Sequence, residues 1–261
     1  MSKKFVNNYD YQNDLFINMD SLGVGTLQRL TYRMAHPQCP LDTFLNERSY
    51  TDPQYFNEII DTQLISQMRY GEAEKYLQKV SGAFNRSRNV YEYCRFDPFT
   101  AKETGKKDEH YKLHFAQKMA ALEQEISQCK DPDTKAELLL QYARGMRNSF
   151  SQIGWPLTSY YWAVMYNFPF HSRYQRQMKQ KGIERYEQIR DHAFTLFTDQ
   201  ERAAKAYYNW ALFKSAVKRF PETLTAKFIQ GHCDELKDYL GRPEKDPYEQ
   251  QEEWMAENGY E

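Results

Sequence analysis

The sequence predicts an all-α protein built as a solenoid-like array of helical hairpins. Apolar residues recur at spacings of three and four along most of the chain, which is the period of an amphipathic helix. Asp52-Pro53 and Asp131-Pro132 are strong helix starts, because aspartate caps the free amides and proline fits the first helical position. Glycine is scarce, with 11 residues in 261, which disfavours turn-rich β-sandwiches and nucleotide-binding α/β folds.

The chain is expected to have three parts. Residues 1–51 form a loose N-terminal arm with short helices, residues 52–241 form the helical-hairpin repeat domain, and residues 242–261 form a flexible tail. Between Glu244 and Glu261 the tail carries seven acidic residues against one lysine. A segment with such charge and few apolar residues cannot bury enough surface to fold alone.

The N-terminal arm contains only weak helical signals. Residues 18–34 show a helical pattern that Gly23 and Gly25 interrupt, and residues 41–45 are expected to form a single helical turn. The first strong signal is therefore the helix start at Asp52.

Residues 54–85 are predicted to form two helices that turn at Gly71. Each has an apolar stripe, made by Phe56, Ile59, Ile60, Leu64, Ile65 and Met68 in the first, and by Ala73, Tyr76, Leu77 and Val80 in the second. Such a pair resembles a tetratricopeptide repeat, whose period is about 34 residues, although the terminal proline of that repeat is missing.

Residues 85–108 are polar and contain Pro98, so a surface loop is expected there. The next pattern predicts a helix over residues 108–128, followed after a short connection by the helix that begins at Asp131. Two helices joined by so few residues are expected to be antiparallel neighbours.

Residues 150–170 are the densest aromatic segment of the chain. The pairs Trp155-Pro156 and Phe168-Pro169 are expected to bracket a short helix, because proline interrupts helices. A basic stretch follows and merges into a helix with apolar residues from Ile183 to Leu196.

Residues 198–239 predict the clearest hairpin. Thr198 and Glu201 have the spacing of a capping box, and the first helix continues through Trp210 until Pro221 ends it. Thr223 is expected to cap the second helix, which ends at Gly241 and Pro243.

Composition excludes several classes of function. The net charge is −1, so no overall field attracts nucleic acid or membrane, and no apolar run reaches the roughly 18 residues of a membrane-spanning helix. The N-terminus lacks an apolar signal-peptide core, which predicts a cytoplasmic protein by default. Cysteines are expected to be mainly free thiols, with a Cys39–Cys94 disulfide left open; the others are Cys129 and Cys233.

No enzymatic motif is present in the sequence, and neither a cofactor nor a metal is predicted. His110 and His114 share a helix face, but H-E-x-x-H is absent and no third zinc ligand is evident, so two solvated histidines are expected. His232-Cys233-Asp234 cannot act as a triad, because consecutive helical side chains point about 100° apart.

Three groups of residues are candidate binding sites, each with a structural alternative. The aromatic belt is either helix-interface core or a sugar-stacking platform. The basic stretch is either a solvated helix face or a single-strand nucleic-acid site, and the tail holds either a docking motif or no motif. The residues concerned are Trp155, Tyr160, Tyr161 and Trp162 for the belt, Arg173 and Arg176 for the stretch, and Trp254 for the tail.

Four stretches together resemble a group of uncharacterised, tetratricopeptide-like helical proteins of Bacteroidota. They are HPQCPLDTFLNERSY (36–50), MRYGEAEKYLQKVS (68–81), QYARGMRNSF (141–150) and VKRFPETLTAKFIQGHCDELKDY (217–239). The resemblance implies a helical-repeat fold and supplies no catalytic residues. Members of the group are generally longer, so this chain is expected to be their C-terminal part, and the longer protein would belong to the cell envelope if it is exported.

Helical-repeat layers offer surfaces that typically bind peptides or proteins. The sequence therefore predicts a non-enzymatic protein–protein interaction or scaffold module, with a protein or peptide as the partner. The alternative is a carbohydrate-binding protein of the cell envelope that stacks a glycan on the aromatic belt, because glycan-binding partners of Bacteroidota outer-membrane transporters are also tetratricopeptide-like.

Overall fold

The computed structural model describes residues 22–48, 52–87, 91, 94–151, 154–158 and 173–232. This described part of the chain contains 11 α-helices and no strand, which confirms the all-α class. The helices are α1 Val24–Ala35, α2 Pro40–Arg48, α3 Pro53–Ser66, α4 Tyr70–Leu77, α5 Gly82–Arg86, α6 Tyr111–Gln128, α7 Pro132–Ser149, α8 Arg173–Leu196, α9 Gln200–Asn209, α10 Phe213–Arg219 and α11 Leu224–His232, and a 3-10 turn covers Trp155–Leu157.

The chain divides into two compact units, Met1–Leu196 and Phe197–Glu261. This division lies inside residues 52–241, the range that the sequence predicts as one repeat domain. The outer limits of that range, at 51 and 241, lie outside the described residues and stay predictions. Within the described part, no helix combines the length and the apolar character that crossing a membrane requires.

Helix α3 is the centre of the first unit. It packs against α1, α4 and α8, while α4 packs on α6, α6 on α7, and α7 on α8. The side chains of α3 that are fully buried include Tyr55, Ile59, Ile60, Leu64 and Ile65. Burying a large aliphatic side chain contributes roughly 1.5–3 kcal/mol, so α3 supplies much of the stability of this unit.

The two predicted aspartate–proline helix starts are confirmed. Asp52 accepts a hydrogen bond from the backbone N–H of Gln54 at 2.9 Å, and Asp131 accepts one from Thr134 at 2.8 Å. Each proline lies at the first position of its helix, where a backbone N–H would have no carbonyl partner within the helix, so the missing N–H loses no hydrogen bond.

The turn between α3 and α4 is not made by Gly71, and that prediction is wrong. Met68 turns the chain with a left-handed φ of 61°, and the N–H of Arg69 donates to the carbonyl of Leu64 at 2.9 Å. This bond closes the end of α3 as a Schellman motif does. Gly71 instead lies in the first turn of α4, and nothing in the helical period reveals that methionine takes the glycine conformation.

The N-terminal helices are also more regular than expected. Helix α1 begins at Val24 and includes Gly25, and α2 runs for nine residues instead of a single turn. The predicted surface loop over residues 85–108 is wrong in part, because Cys94 and Pro98 are buried.

Helices α9, α10 and α11 all pack against one another and form the second unit. Its core includes Trp210, Ala216 and Ile229, with Trp210 only 8% exposed. As predicted, α10 ends before Pro221, and the Thr223 hydroxyl accepts a hydrogen bond from the N–H of Ala226 at 3.2 Å.

The predicted Thr198–Glu201 capping box is wrong. The N-cap of α9 is Asp199, whose carboxylate accepts the N–H groups of Glu201 and Arg202 at 2.8 and 3.0 Å. Glu201 is therefore available to another helix, and its carboxylate accepts the N–H of Leu224 at 2.7 Å. This bond caps the start of α11. The pKa of Glu201 lies below its ordinary value, mainly because the Thr225 hydroxyl donates a hydrogen bond to its carboxylate, and the bond from Leu224 lowers the pKa further.

The helix that the sequence predicts through Trp210 to Phe220 is two helices. Ala211 has a left-handed φ of 58°, and the N–H of Leu212 donates to the carbonyl of Tyr207 at 2.9 Å. The break repeats the geometry at Met68. Alanine favours a continuous helix, so no local signal marks this position.

Candidate functional site

The aromatic belt lies almost entirely outside the described residues. The structure gives the backbone of Trp155, in the 3-10 turn, and leaves its side chain undescribed. The other predicted binding residues are also outside: the side chains of Arg173 and Arg176 in the first turns of α8, and all of Tyr160, Tyr161, Trp162 and Trp254. The belt, basic-stretch and tail hypotheses therefore stay predictions.

The beginning of the belt is nevertheless fixed to the core of the first unit. Leu157 is fully buried. The Thr158 hydroxyl donates to the carbonyl of Ser149 at 3.1 Å, and the Ser66 hydroxyl donates to the carbonyl of Thr158 at 3.4 Å. The chain thus enters the belt from a defined position beside α3 and α7.

Helices α1 and α2 carry a group of exposed apolar side chains, which we call the α1–α2 surface. Its members are between 48% and 60% exposed, and they are all the large exposed apolar side chains in the described residues of the first unit: Tyr32, Leu41, Phe44 and Leu45. Large exposed apolar groups gathered in one place are typical of interaction sites.

The α1–α2 surface stands on a well-bonded frame. Arg33 Nε pairs with Asp42 Oδ1 at 2.8 Å, and the N–H of Gln38 donates to Asp42 Oδ2 at 2.9 Å. The amide of Asn46 donates to the carbonyl of Met34 at 2.7 Å. The hydrogen bond from Arg33 lowers the pKa of Asp42, so the carboxylate stays charged and keeps the two helices joined.

A groove of about 710 Å³ lies along α1. Tyr32 belongs both to this groove and to the α1–α2 surface. Arg29 and Arg33 line the groove, and none of the described residues in its lining is acidic. The surface therefore combines apolar contacts with positive charge.

A second feature of the first unit is a buried polar cluster between α3 and α6. Lys112 Nζ donates to the Thr62 hydroxyl at 2.7 Å and lies 3.4 Å from Glu58 Oε1. Asp61 Oδ1 is 3.1 Å from the same hydroxyl. All four residues are less than 9% exposed, and burial of charged groups is costly unless they are paired or neutral.

The surroundings of Asp61 favour the protonated, neutral form of its carboxyl group. Burial raises the pKa of Asp61 well above its ordinary value, and the charge of Glu58 raises it further, while Lys112 opposes the shift. Sequence analysis missed this cluster. The sequence contains a signal for it, since the polar residues Glu58, Asp61 and Thr62 lie among the apolar residues that make the stripe of α3.

The third feature, which we call the aromatic cleft, is a space of about 200 Å³ beside the start of α6. Its lining is dominated by rings, and it consists of Cys94, Phe96, Asp97, Pro98, Phe99, Thr104, Asp108, Tyr111, His114 and Phe115. Most of these residues belong to the segment that the sequence predicts as a surface loop.

That segment folds back because its polar groups are bonded and one ring has a place to insert. Asn148 donates to the carbonyl of Pro98 at 2.6 Å, and the N–H of Asp108 donates to the carbonyl of Cys94 at 3.1 Å. Phe99 packs at Gly145 of α7, where a Cβ would lie 2.7 Å from the ring. The cleft therefore has defined walls.

The ionisable groups of the cleft do not form an activated nucleophile. His114 Nδ1 lies 2.7 Å from Asp108 Oδ2, and the His114 side chain is 60% exposed, in agreement with the predicted solvated histidine. Burial raises the pKa of the Cys94 thiol to about 12, and only the thiolate attacks substrates. His110 and His114 have ring centroids 6.1 Å apart, and no group of three metal-ligating side chains occurs among the described residues.

Comparison with known proteins gives no relative from which a function could be proposed. No protein-family model, curated protein or solved structure matches this chain. The likeness to tetratricopeptide-like proteins of Bacteroidota therefore stays a prediction. The thiol of Cys39 is free in the structure, which therefore shows no Cys39–Cys94 disulfide.

Proposed function

We propose that this chain is a non-enzymatic protein-binding module whose α1–α2 surface binds an acidic peptide segment with apolar side chains. The observation that carries the proposal is the exposure of Tyr32, Leu41, Phe44 and Leu45 together. Elsewhere in the described first unit, the large apolar side chains are buried or half-buried. Apolar side chains that a partner covers contribute to affinity without being needed for the fold.

The charge of the groove favours an acidic partner. Arg29 and Arg33 line it, and the part of its lining that the structure describes contains no acidic residue, although Arg33 is partly neutralised by Asp42. Complementary charge raises the association rate and selects among partners. The carbohydrate-binding alternative depends on ring positions outside the described residues, so no second function is argued.

The test compares two exposed leucines of this surface with one elsewhere. We expect the double variant Leu41→Ser/Leu45→Ser to bind a labelled acidic-apolar peptide, selected by peptide display against the full chain, at least about tenfold more weakly. Leu224→Ser is the matched control, because Leu224 is 77% exposed and belongs to the second unit. It should leave binding unchanged.

Two further readouts distinguish a binding role from a folding role. Both leucine variants should keep the wild-type melting temperature, since exposed side chains contribute little to stability. Arg29→Glu should weaken binding of the acidic peptide and strengthen binding of a variant peptide in which lysine replaces each acidic residue. Equal binding by the wild type and by Leu41→Ser/Leu45→Ser, or selection of basic peptides by the display, would contradict the proposal.

A further inference from the structure

The aromatic cleft has the size of a small-molecule site. Its volume is about 200 Å³, whereas an engineered protein cavity of roughly 150 Å³ is known to bind benzene. Thr104 and His114 on its rim are exposed, so the cleft is reached from solvent. A molecule built on one six-membered ring fits this space.

The walls of the cleft favour a flat and positively charged guest. Four aromatic residues line it, namely Phe96, Phe99, Tyr111 and Phe115. Phe99 and Phe115 are tilted by 34° with their centroids 5.8 Å apart. Ring faces attract cations through their quadrupole.

The charged lining of the cleft has the same preference. Among the residues that the structure describes, Asp97 and Asp108 line it, and neither lysine nor arginine does. Both carboxylates are fixed in place: Asp97 accepts the N–H of Phe99 at 2.9 Å, and Asp108 accepts the N–H of His110 at 2.9 Å. An anion would face two negative groups here, whereas a cation would be stabilised.

An unsatisfied hydroxyl gives an independent sign of a guest. Tyr111 is only 7% exposed, and its hydroxyl has no hydrogen-bond partner among the residues that the structure describes. Leaving a buried polar group without a partner costs free energy, because the group has lost its hydrogen bonds to water. An N–H donor placed in the cleft would remove that cost.

We propose that the aromatic cleft binds a small arylalkylamine, with the amino group on an alkyl carbon next to the ring, in its cationic form. The ring of the amine packs among the phenylalanines, and its ammonium group lies near Asp97 and Asp108 and donates to the Tyr111 hydroxyl. The cleft shares no residue with the α1–α2 surface, so this proposal is tested independently of the proposed protein-binding function.

A series of three probes with the same ring tests the charge preference. Benzylamine, benzyl alcohol and benzoate are titrated into the full chain, with binding followed by the chemical shifts of backbone amides in residues 94–115. We expect benzylamine to bind about tenfold more tightly than benzyl alcohol and benzoate not to bind. Equal affinity for benzoate and benzylamine, or shifts spread over both units without saturation, would overturn the proposal.

Two variants separate the roles of the rings and the carboxylate. Phe96→Ala should weaken the binding of benzylamine and of benzyl alcohol to the same extent. Asp97→Asn should remove most of the preference for benzylamine over benzyl alcohol, and its side-chain oxygen can still accept the hydrogen bond from the N–H of Phe99. Phe228→Ala is the control, because Phe228 is a 50% exposed ring of the second unit. Benzylamine affinity unchanged by Phe96→Ala, in a variant that keeps the wild-type melting temperature, would also overturn the proposal.

Discussion

At the level of single residues, the α3–α6 cluster shows how a helical core accommodates ionisable groups. Lys112 is paired with Glu58 and bonded to Thr62, whereas Asp61 Oδ2 has no hydrogen-bond partner among the described residues. A carboxylate in that position would be an uncompensated buried charge. The group therefore stays protonated over a wider pH range than an exposed aspartate.

This protonation makes stability depend on pH in a defined direction. The folded-state pKa of Asp61 is raised well above its ordinary value of 3.8, so the folded protein keeps a proton that the unfolded chain loses. The contribution of Asp61 is fully present below the ordinary pKa and is lost as the pH rises through the folded pKa.

We predict that Asp61→Asn removes this loss of stability. Asparagine has the same shape and does not titrate, so the free energy of unfolding should decline less steeply with pH in the variant than in the wild type above the ordinary aspartate range. Urea unfolding at a series of pH values measures both slopes. Asp191→Asn serves as the control, since Asp191 is an exposed aspartate of α8. Parallel pH profiles for the wild type and Asp61→Asn would show that Asp61 is charged when folded.

At the level of elements, the wall of the aromatic cleft depends on a small residue in a neighbouring helix. Gly145 lies in the C-terminal half of α7, where a Cβ would be 2.7 Å from Phe99 Cε1 and 2.8 Å from Met119 Sδ. Glycine in a helix normally weakens it relative to alanine. Here the missing side chain is what allows Phe99 to pack on the helix.

We predict that Gly145→Ala destabilises the protein by about 1–3 kcal/mol, the usual range for inserting a methyl group into a filled core. Gly71→Ala is the matched control in α4, because nothing lies within 4 Å of its added Cβ. That variant should be neutral or more stable by up to about 1 kcal/mol. Equal melting temperatures for the two variants would mean that Phe99 is not seated on α7.

The same scale explains the two helix breaks that the periodicity conceals. Met68 and Ala211 both take left-handed backbone angles, and in each case the amide after the turn bonds back to the preceding helix. Neither residue favours this conformation intrinsically. Packing of the next helix onto the core offsets the local cost, and local sequence patterns do not report that packing.

At the level of the whole molecule, each of the two units has its own buried residues. Among the described residues of the second unit, Trp210 is the largest that is buried, and it lies at the break between α9 and α10. The other buried residues described in this unit include small ones such as Ala203 and Ala216. A core of this kind has few large side chains that could refill a vacated space.

We predict that Trp210→Ala destabilises the second unit by about 3–5 kcal/mol, the range for truncating a buried aromatic side chain. Hydrogen exchange of backbone amides over residues 200–232 measures the loss, and it should show faster exchange throughout α9, α10 and α11. Tyr208→Ala is a suitable control, because Tyr208 is 38% exposed and lies two residues before Trp210, at the end of α9. Unchanged exchange in Trp210→Ala would identify Trp210 as dispensable for the fold.

The sequence by itself determined the helical class, the starts of α3 and α7, the stop at Pro221 and the buried stripe of α3. These features depend on helical period, on capping side chains and on proline, and all of them act within a few residues along the chain. The tertiary structure decided the turns at Met68 and Ala211, the use of Glu201 to cap α11, and the return of residues 94–99 to the core. It also brought together the α1–α2 surface and the aromatic cleft, because each depends on contacts between residues that are distant in sequence and chosen by packing.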